Sequence, residues 1–202
     1  MAISRRMFIA KAAAGTALAA LPLAICRGEG VGSSLSPNLV RRALAALQRH
    51  GESISRRDVM GIADFSLASS VPRFHLLNLA DGAVKSYLVA HGRGSDPAHT
   101  GWLERFSNEP HSYATSAGAF KTDRIYVGEH GPSIHLEGLD STNSNAASRA
   151  IVVHGAWYVS ESIARERRLL GRSEGCFAVA ETSISEVLAI LGTGRLIYAD
   201  KS

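Results

Sequence analysis

A cysteine and a histidine hold most of the reactive potential of this sequence. Cys176 closes the stretch Gly171-Arg172-Ser173-Glu174-Gly175-Cys176. His154, with Gly155 after it, ends the hydrophobic run Ala150 to Val153. Because 22 positions separate the two, only folding can bring them together. A thiol attacks carbonyls as its thiolate, and an imidazole within reach can take the proton. Gly175 permits a tight turn before the thiol and leaves backbone N–H groups unobstructed. The amides of Gly175 and Cys176 are therefore candidates to stabilise an oxyanion. Two plainer readings stand beside this one. A lone cysteine is often a small buried hydrophobe. A zinc site drawn from His130, His135, His154 and Cys176 matches no compact ligand spacing, so no metal is expected.

The elements that must position this pair read as mainly β. Ala150 to Val153 is a buried strand ending at His154. Ile62 to Phe65 starts the sheet, and Arg73 to Leu79 and Ala83 to Ala90 form a pair around the turn Asp81-Gly82. His75, inside the first of these, reads as structural. Phe120, Ile125 and Tyr126 mark further extended pieces, as do Ile134, Leu136 and Leu139. His91 to Pro110 is a loop long enough to shape a groove. Ser36-Pro37 reads as a cap and first helical residue, and Leu39, Val40, Ala43, Leu44 and Leu47 share one helical face. Ser183 and Glu186 have capping-box spacing before Val187, Leu188 and Leu191. Leu196 to Tyr198 is a last strand. No internal repeat and no phosphate-loop signature is present.

Composition limits what the chain can be. It has 202 residues, enough for one domain but not two large ones. Its formal net charge is +4, yet Arg5, Arg6 and Lys11 lie in the first 24 residues, which contain no acid. The remainder is nearly neutral, so charge gives no support to nucleic-acid binding. Residues 1–24 read as an export signal: Ser4-Arg5-Arg6-Met7-Phe8-Ile9 precedes a short, alanine-rich apolar run and resembles a twin-arginine signal, implying the corresponding export machinery as a partner. That run is too short for a stable transmembrane segment. Residues 25–36 form a flexible joint, and one domain follows over 37–202. Of the two cysteines, Cys26 lies in the joint just past the leader, so the domain itself holds a single thiol and no disulfide framework is expected.

Several ordered stretches then add a resemblance. Ser173-Glu174-Gly175-Cys176, with His154-Gly155 upstream, resembles the signature of bacterial murein L,D-transpeptidase catalytic domains, in their YkuD-like branch. VAHGRGSDP, FSNEPHSYATSAGAF, YVGEHGPSIHLEGLD and NSNAASRAIVVHGAWYV extend the likeness over Ile62 to Val179. The resemblance implies a β-sandwich or barrel-like domain with a few short helices, exported to the periplasm or cell envelope. It implies that Cys176 attacks the amide between diaminopimelate and D-alanine in a peptidoglycan tetrapeptide stem. An amine then resolves the thioester, or water does in an L,D-carboxypeptidase, and carbapenems are expected as inhibitors. A noncatalytic wall-binding domain on the same fold is the third alternative. Residue by residue, Cys176 takes the nucleophile position, His154 the catalytic histidine, and Gly155 the position whose carbonyl orients the imidazole. Arg172, Ser173, Ser116, Tyr113 and His130 fall in matching stretches as substrate-binding candidates. Arg172 suits a substrate carboxylate or, equally, a structural ion pair. Better-known relatives carry histidine where Glu174 stands. Glu174 is expected to face solvent or Arg172, since a carboxylate aimed at the thiol would oppose its ionisation. The covalent mechanism implied needs no cofactor.

Overall fold

The structure is a computed structural model that describes residues 35–202. The leader and most of the joint lie outside the described residues. Among the described residues the first element is helix α1 (Pro37–Arg49), which starts as its sequence requires: the Ser36 hydroxyl accepts from the Leu39 N–H at 3.5 Å, and Pro37 sits in the first turn.

Nine strands follow: β1 (Val59–Asp64), β2 (Phe74–Asn78), β3 (Val84–Tyr87), β4 (Val89–Ala90), β5 (Gly118–Gly128), β6 (Gly131–Gly138), β7 (Val152–Ala156), β8 (Phe177–Ala180) and β9 (Leu196–Asp200). They form one sheet in the order β3-β2-β1-β9-β5-β6-β7-β8-β4. Two pairs are parallel, β1 with β9 and β7 with β8. The two edge strands, β3 and β4, are consecutive in the chain and joined by Leu88 alone. One residue spans only about 3.5 Å, so the sheet must curl until its edges meet. This is the barrel-like sheet implied by the family resemblance.

Alternation along the strands divides the apolar residues between two faces. Phe74, Leu76, Phe120, Ile134, Leu136, Val153, Phe177, Val179 and Ile197 gather in one core with helix α3 (Ile184–Leu191). Met60, Ile62, Leu77, Leu196 and Tyr198 point the other way, onto Leu39, Val40, Ala43 and Leu47 of α1. Outside β8, Ala90, Ala156 and Ala178 pack with Ala164 of helix α2 (Glu161–Arg167) and with Leu170.

Three local expectations need correction. β7 starts at Val152 and runs through Ala156, so His154 lies inside the strand rather than at its end. Ala150, with φ of 53°, has a backbone no strand can use. Ser183 makes no capping bond at the start of α3, and Glu186 instead pairs with Lys85 at 2.6 Å. The charged stretch after Tyr158 forms α2, capped by the Ser160 hydroxyl. His75 is fully buried and bonds Ser86 through Nδ1 at 2.8 Å, in keeping with its structural reading.

Candidate active site

The register of β7 and β8 unites the pair. Val153 is level with Phe177 and His154 with Ala178. Parallel partners share a sheet face and residues two apart return to it. Phe177 and Val153 point into the core, so Cys176, Ala178 and His154 all point outward. One residue before β8, Cys176 is level with Val152, which places its Cα roughly 8 Å from that of His154 across the diagonal. Both side chains open onto one cleft of about 750 Å³.

His154 is nearly buried, and its Nδ1 lies 2.8 Å from the Gly155 carbonyl. A carbonyl only accepts, so Nδ1 carries the proton and Nε2 keeps a lone pair. His130 stacks on the ring, with centroids 4.4 Å apart and planes at 25°. Burial lowers the His154 pKa from its ordinary value, the Gly155 carbonyl opposes that, and His130 adds to the lowering. Cys176 is a half-buried free thiol whose sulfur lies 3.6 Å from the Ala150 carbonyl. Burial pushes the thiol up, while the Val152 N–H and the Arg149 charge pull it down and Glu174 raises it. Both directions favour the neutral forms, thiol and imidazole, over a preformed ion pair.

The turn carrying Cys176 is held from both sides. Ser173 exchanges backbone bonds with β4's continuation: its N–H donates to the His91 carbonyl at 2.9 Å and its carbonyl accepts from Arg93 at 2.8 Å. The Ser173 hydroxyl donates to the Cys176 carbonyl at 2.7 Å and accepts from the Gly175 N–H at 3.2 Å. That bond occupies the Gly175 amide, so of the two oxyanion candidates the Cys176 amide is the better placed. Behind the turn, Arg73, His91 and Asp96 are all buried. The Arg73 guanidinium donates to His91 Nδ1 at 2.7 Å, so Nε2 bears the proton and donates to Asp96 at 3.3 Å. Burial, with Arg73 beside it, lowers the His91 pKa to about 4 and keeps that ring neutral.

Other candidates divide. Tyr113, His130, Arg172 and Ser173 line the cleft, but Ser116 does not. Ser116 is fully buried: its hydroxyl donates to the Ser107 carbonyl at 2.8 Å and accepts from Arg149 at 2.7 Å. Arg172 donates to the Asp96 and Pro97 carbonyls, so it anchors a loop and makes no ion pair among the described residues. Glu174 faces solvent and pairs with Arg93 at 3.0 Å, not with Arg172. Arg93 in turn lies 3.8 Å over the Tyr113 ring.

Sequence reasoning gave no role to Arg149, whose guanidinium ties the Ser107 and Ala114 carbonyls to the cleft wall. A lone arginine before a strand carries no pattern that would reveal this. Three of the five non-glycine residues with positive φ among the described residues, His111, Tyr113 and Ala150, line the cleft. Such strain gathers where surrounding structure dictates the backbone, often at functional sites. Among the described residues, no group of three His, Cys, Asp or Glu side chains is placed to hold a metal ion.

The fold and this cleft define a mainly β domain with a thiol and an imidazole opening onto one cleft. The family model for the L,D-transpeptidase catalytic domain matches residues 32–199, and the chain belongs to that family. Solved structures similar to it include an L,D-transpeptidase from Mycobacterium smegmatis, at 15% identity and a TM-score of 0.43, matching 71% of this chain and 58% of that one. The helical cell shape determining protein Pgp2 from Campylobacter jejuni matches at 8% identity and 0.46, over 83% and 57%. L,D-transpeptidase 3 from Mycobacterium tuberculosis, in complex with a faropenem-derived adduct, matches at 14% and 0.43, over 71% and 60%. The match thus spans less than two thirds of the length of each of these proteins. The search of curated proteins returned no match.

Proposed function

We propose that this protein is an exported peptidoglycan L,D-transpeptidase acting in the periplasm or cell envelope through a Cys176 thioester. The observation that carries the reading is the His154 tautomer. With Nδ1–H held by Gly155, Nε2 is left as a base on the same sheet face and in the same cleft as the thiol. His154 takes the Cys176 proton as sulfur attacks the amide carbonyl of a tetrapeptide stem. The Cys176 amide stabilises the oxyanion, and His154 returns the proton to the departing D-alanine nitrogen. An amine on a neighbouring stem then displaces the thiolate. Tyr113, His130 and Ser173 border the bound stem, while Arg172 shapes its loop. Carbapenems would acylate the same sulfur, and residues 1–24 would direct export through the twin-arginine machinery. Among the described residues no helix is long and apolar enough to cross a membrane.

The test is incubation of the protein with a defined tetrapeptide stem and a second stem as acceptor, read by mass spectrometry. Cross-linked product with free D-alanine is expected, together with a mass adduct on Cys176. D-alanine alone would make the protein an L,D-carboxypeptidase, and binding without turnover a wall-binding domain. Persistent turnover in Cys176→Ala would remove the thioester from the mechanism.

A further inference from the structure

Glu174 stands two residues before the nucleophile and lines the same cleft. Its side chain is 67% exposed, and among the described residues only its Oε1 is engaged, by Arg93, which is itself half exposed. The nearby cationic groups of the cleft are differently committed. Arg149 donates to the Ser107 and Ala114 carbonyls and Arg172 to those of Asp96 and Pro97. Both repel a cation and are tied into the wall. A positively charged molecule in the cleft meets two carboxylates, Glu129 and Glu174, and of these Glu174 stands two residues before the thiol. That carboxylate is felt at the sulfur, where it opposes ionisation, though less than burial does and less than the Val152 N–H and the Arg149 charge favour it.

Resting on the transpeptidase reading, we infer that Glu174 is a specificity-determining residue that draws the ammonium of the acceptor stem to the thioester. The amine that resolves a thioester arrives in neutral water mainly as a cation. Held beside the sulfur, it loses a proton to water or to His154. Its nitrogen lone pair then forms the C–N bond as the C–S bond breaks; one of its two N–H protons passes through His154 to the thiolate, and the other stays on the new amide. The donor acyl group leaves on the acceptor and the thiol is regenerated; recognition of the acceptor's charge is what Glu174 adds. Arg93, by pairing with Glu174, competes with the incoming ammonium.

The experiment measures the ratio of transfer to hydrolysis, which is independent of how fast the thioester forms because both products drain one intermediate. The whole chain is given a tetrapeptide donor and either a second stem, which bears an ammonium, or hydroxylamine, which is uncharged at neutral pH. Glu174→Gln should cut the ratio for the stem acceptor by about threefold to fivefold, the scale of one exposed ion pair, and leave the ratio for hydroxylamine in place. Arg93→Met should raise the stem ratio, and added salt should shrink both effects. An unchanged stem ratio in Glu174→Gln, or an equal fall for both acceptors, overturns the inference while leaving the thioester reading intact. D-alanine release with no transfer product at high amine also overturns it. No D-alanine release from the unaltered protein overturns both.

Discussion

Replacing Gly175 with alanine should do more damage than any other single methyl group added to this turn. Gly175 has φ of 118°, outside the region open to residues with a side chain. An added Cβ would also lie 2.8 Å from the Ala114 carbonyl oxygen and 2.8 Å from Ile151 Cδ1. Backbone strain costs about 1–3 kcal/mol, and forcing a methyl into packed surroundings adds about 1–3 kcal/mol more. The carbonyl cannot retreat easily, because Arg149 holds it. The sum is about 2–6 kcal/mol, which for a domain of this size lowers Tm by about 4–24 °C. Gly131 is the control: its φ is 72°, but nothing lies within 4 Å of the added Cβ. Gly131→Ala should therefore lose only about 1–2 kcal/mol, from conformation alone. Urea unfolding of both variants, followed by thermal scans, measures the difference. Gly175→Ala should also slow alkylation of Cys176 by disordering its turn. Equal stability losses in the two variants would refute the steric reasoning, since the neighbours of Gly175 are then yielding rather than fixed.

Other outcomes follow from the same geometry. Acylation should fall as pH drops through the His154 pKa, and burial places that acid limb below the ordinary histidine value; a limb above it in the kcat/KM profile would contradict the buried neutral base. Iodoacetamide alkylation of the raised Cys176 thiol should keep climbing past the ordinary cysteine range, whereas a flat rate across neutral pH would mean a preformed thiolate. His130→Ala should move the acid limb upward and slow acylation by up to about tenfold, the scale of one aromatic contact, and His130→Phe should restore most of the rate; no change in either profile would separate the stack from the chemistry. Arg73→Met strips four carbonyl and imidazole bonds from a buried site, so unfolding should require about 3–5 kcal/mol less, and a urea midpoint like the parent's would show the charge to be dispensable.

The parts of this protein legible in its sequence are those set by local pattern. Ser36-Pro37 starts α1 because a hydroxyl and a fixed φ act within one turn. Asp81-Gly82 turns β2 toward β3 because Gly82 supplies a φ of 76°. The thiol could be named because only two cysteines occur, and among eight histidines His154 stood out by following a hydrophobic run and preceding Gly155; the family's ordered stretches then suggested their roles. What escaped was decided by distant partners. Ser183 has the right spacing for a capping box, but Lys85, a hundred residues away, claims Glu186. Arg172 looked free to bind a carboxylate until the fold brought the Asp96 and Pro97 carbonyls against it. Arg149 and Ser116 bond each other across 33 positions, a relation no window of sequence contains. The Gly175 amide looked available because nothing in the order of residues reveals where the Ser173 hydroxyl points.

The strand order has a further effect, on how the domain comes into being. β9, near the end of the chain, is not an edge strand: it lies between β1 and β5, with Leu196 beside Met60 and Ile197 beside Phe120. Until it arrives, the β1–β3 meander and the β5–β8 half have no seam between them. Assembly must wait for a partner some 136 positions from Met60, and pairings so far apart in the chain make for slow folding. Losing those five residues would split the sheet down its middle instead of trimming its margin.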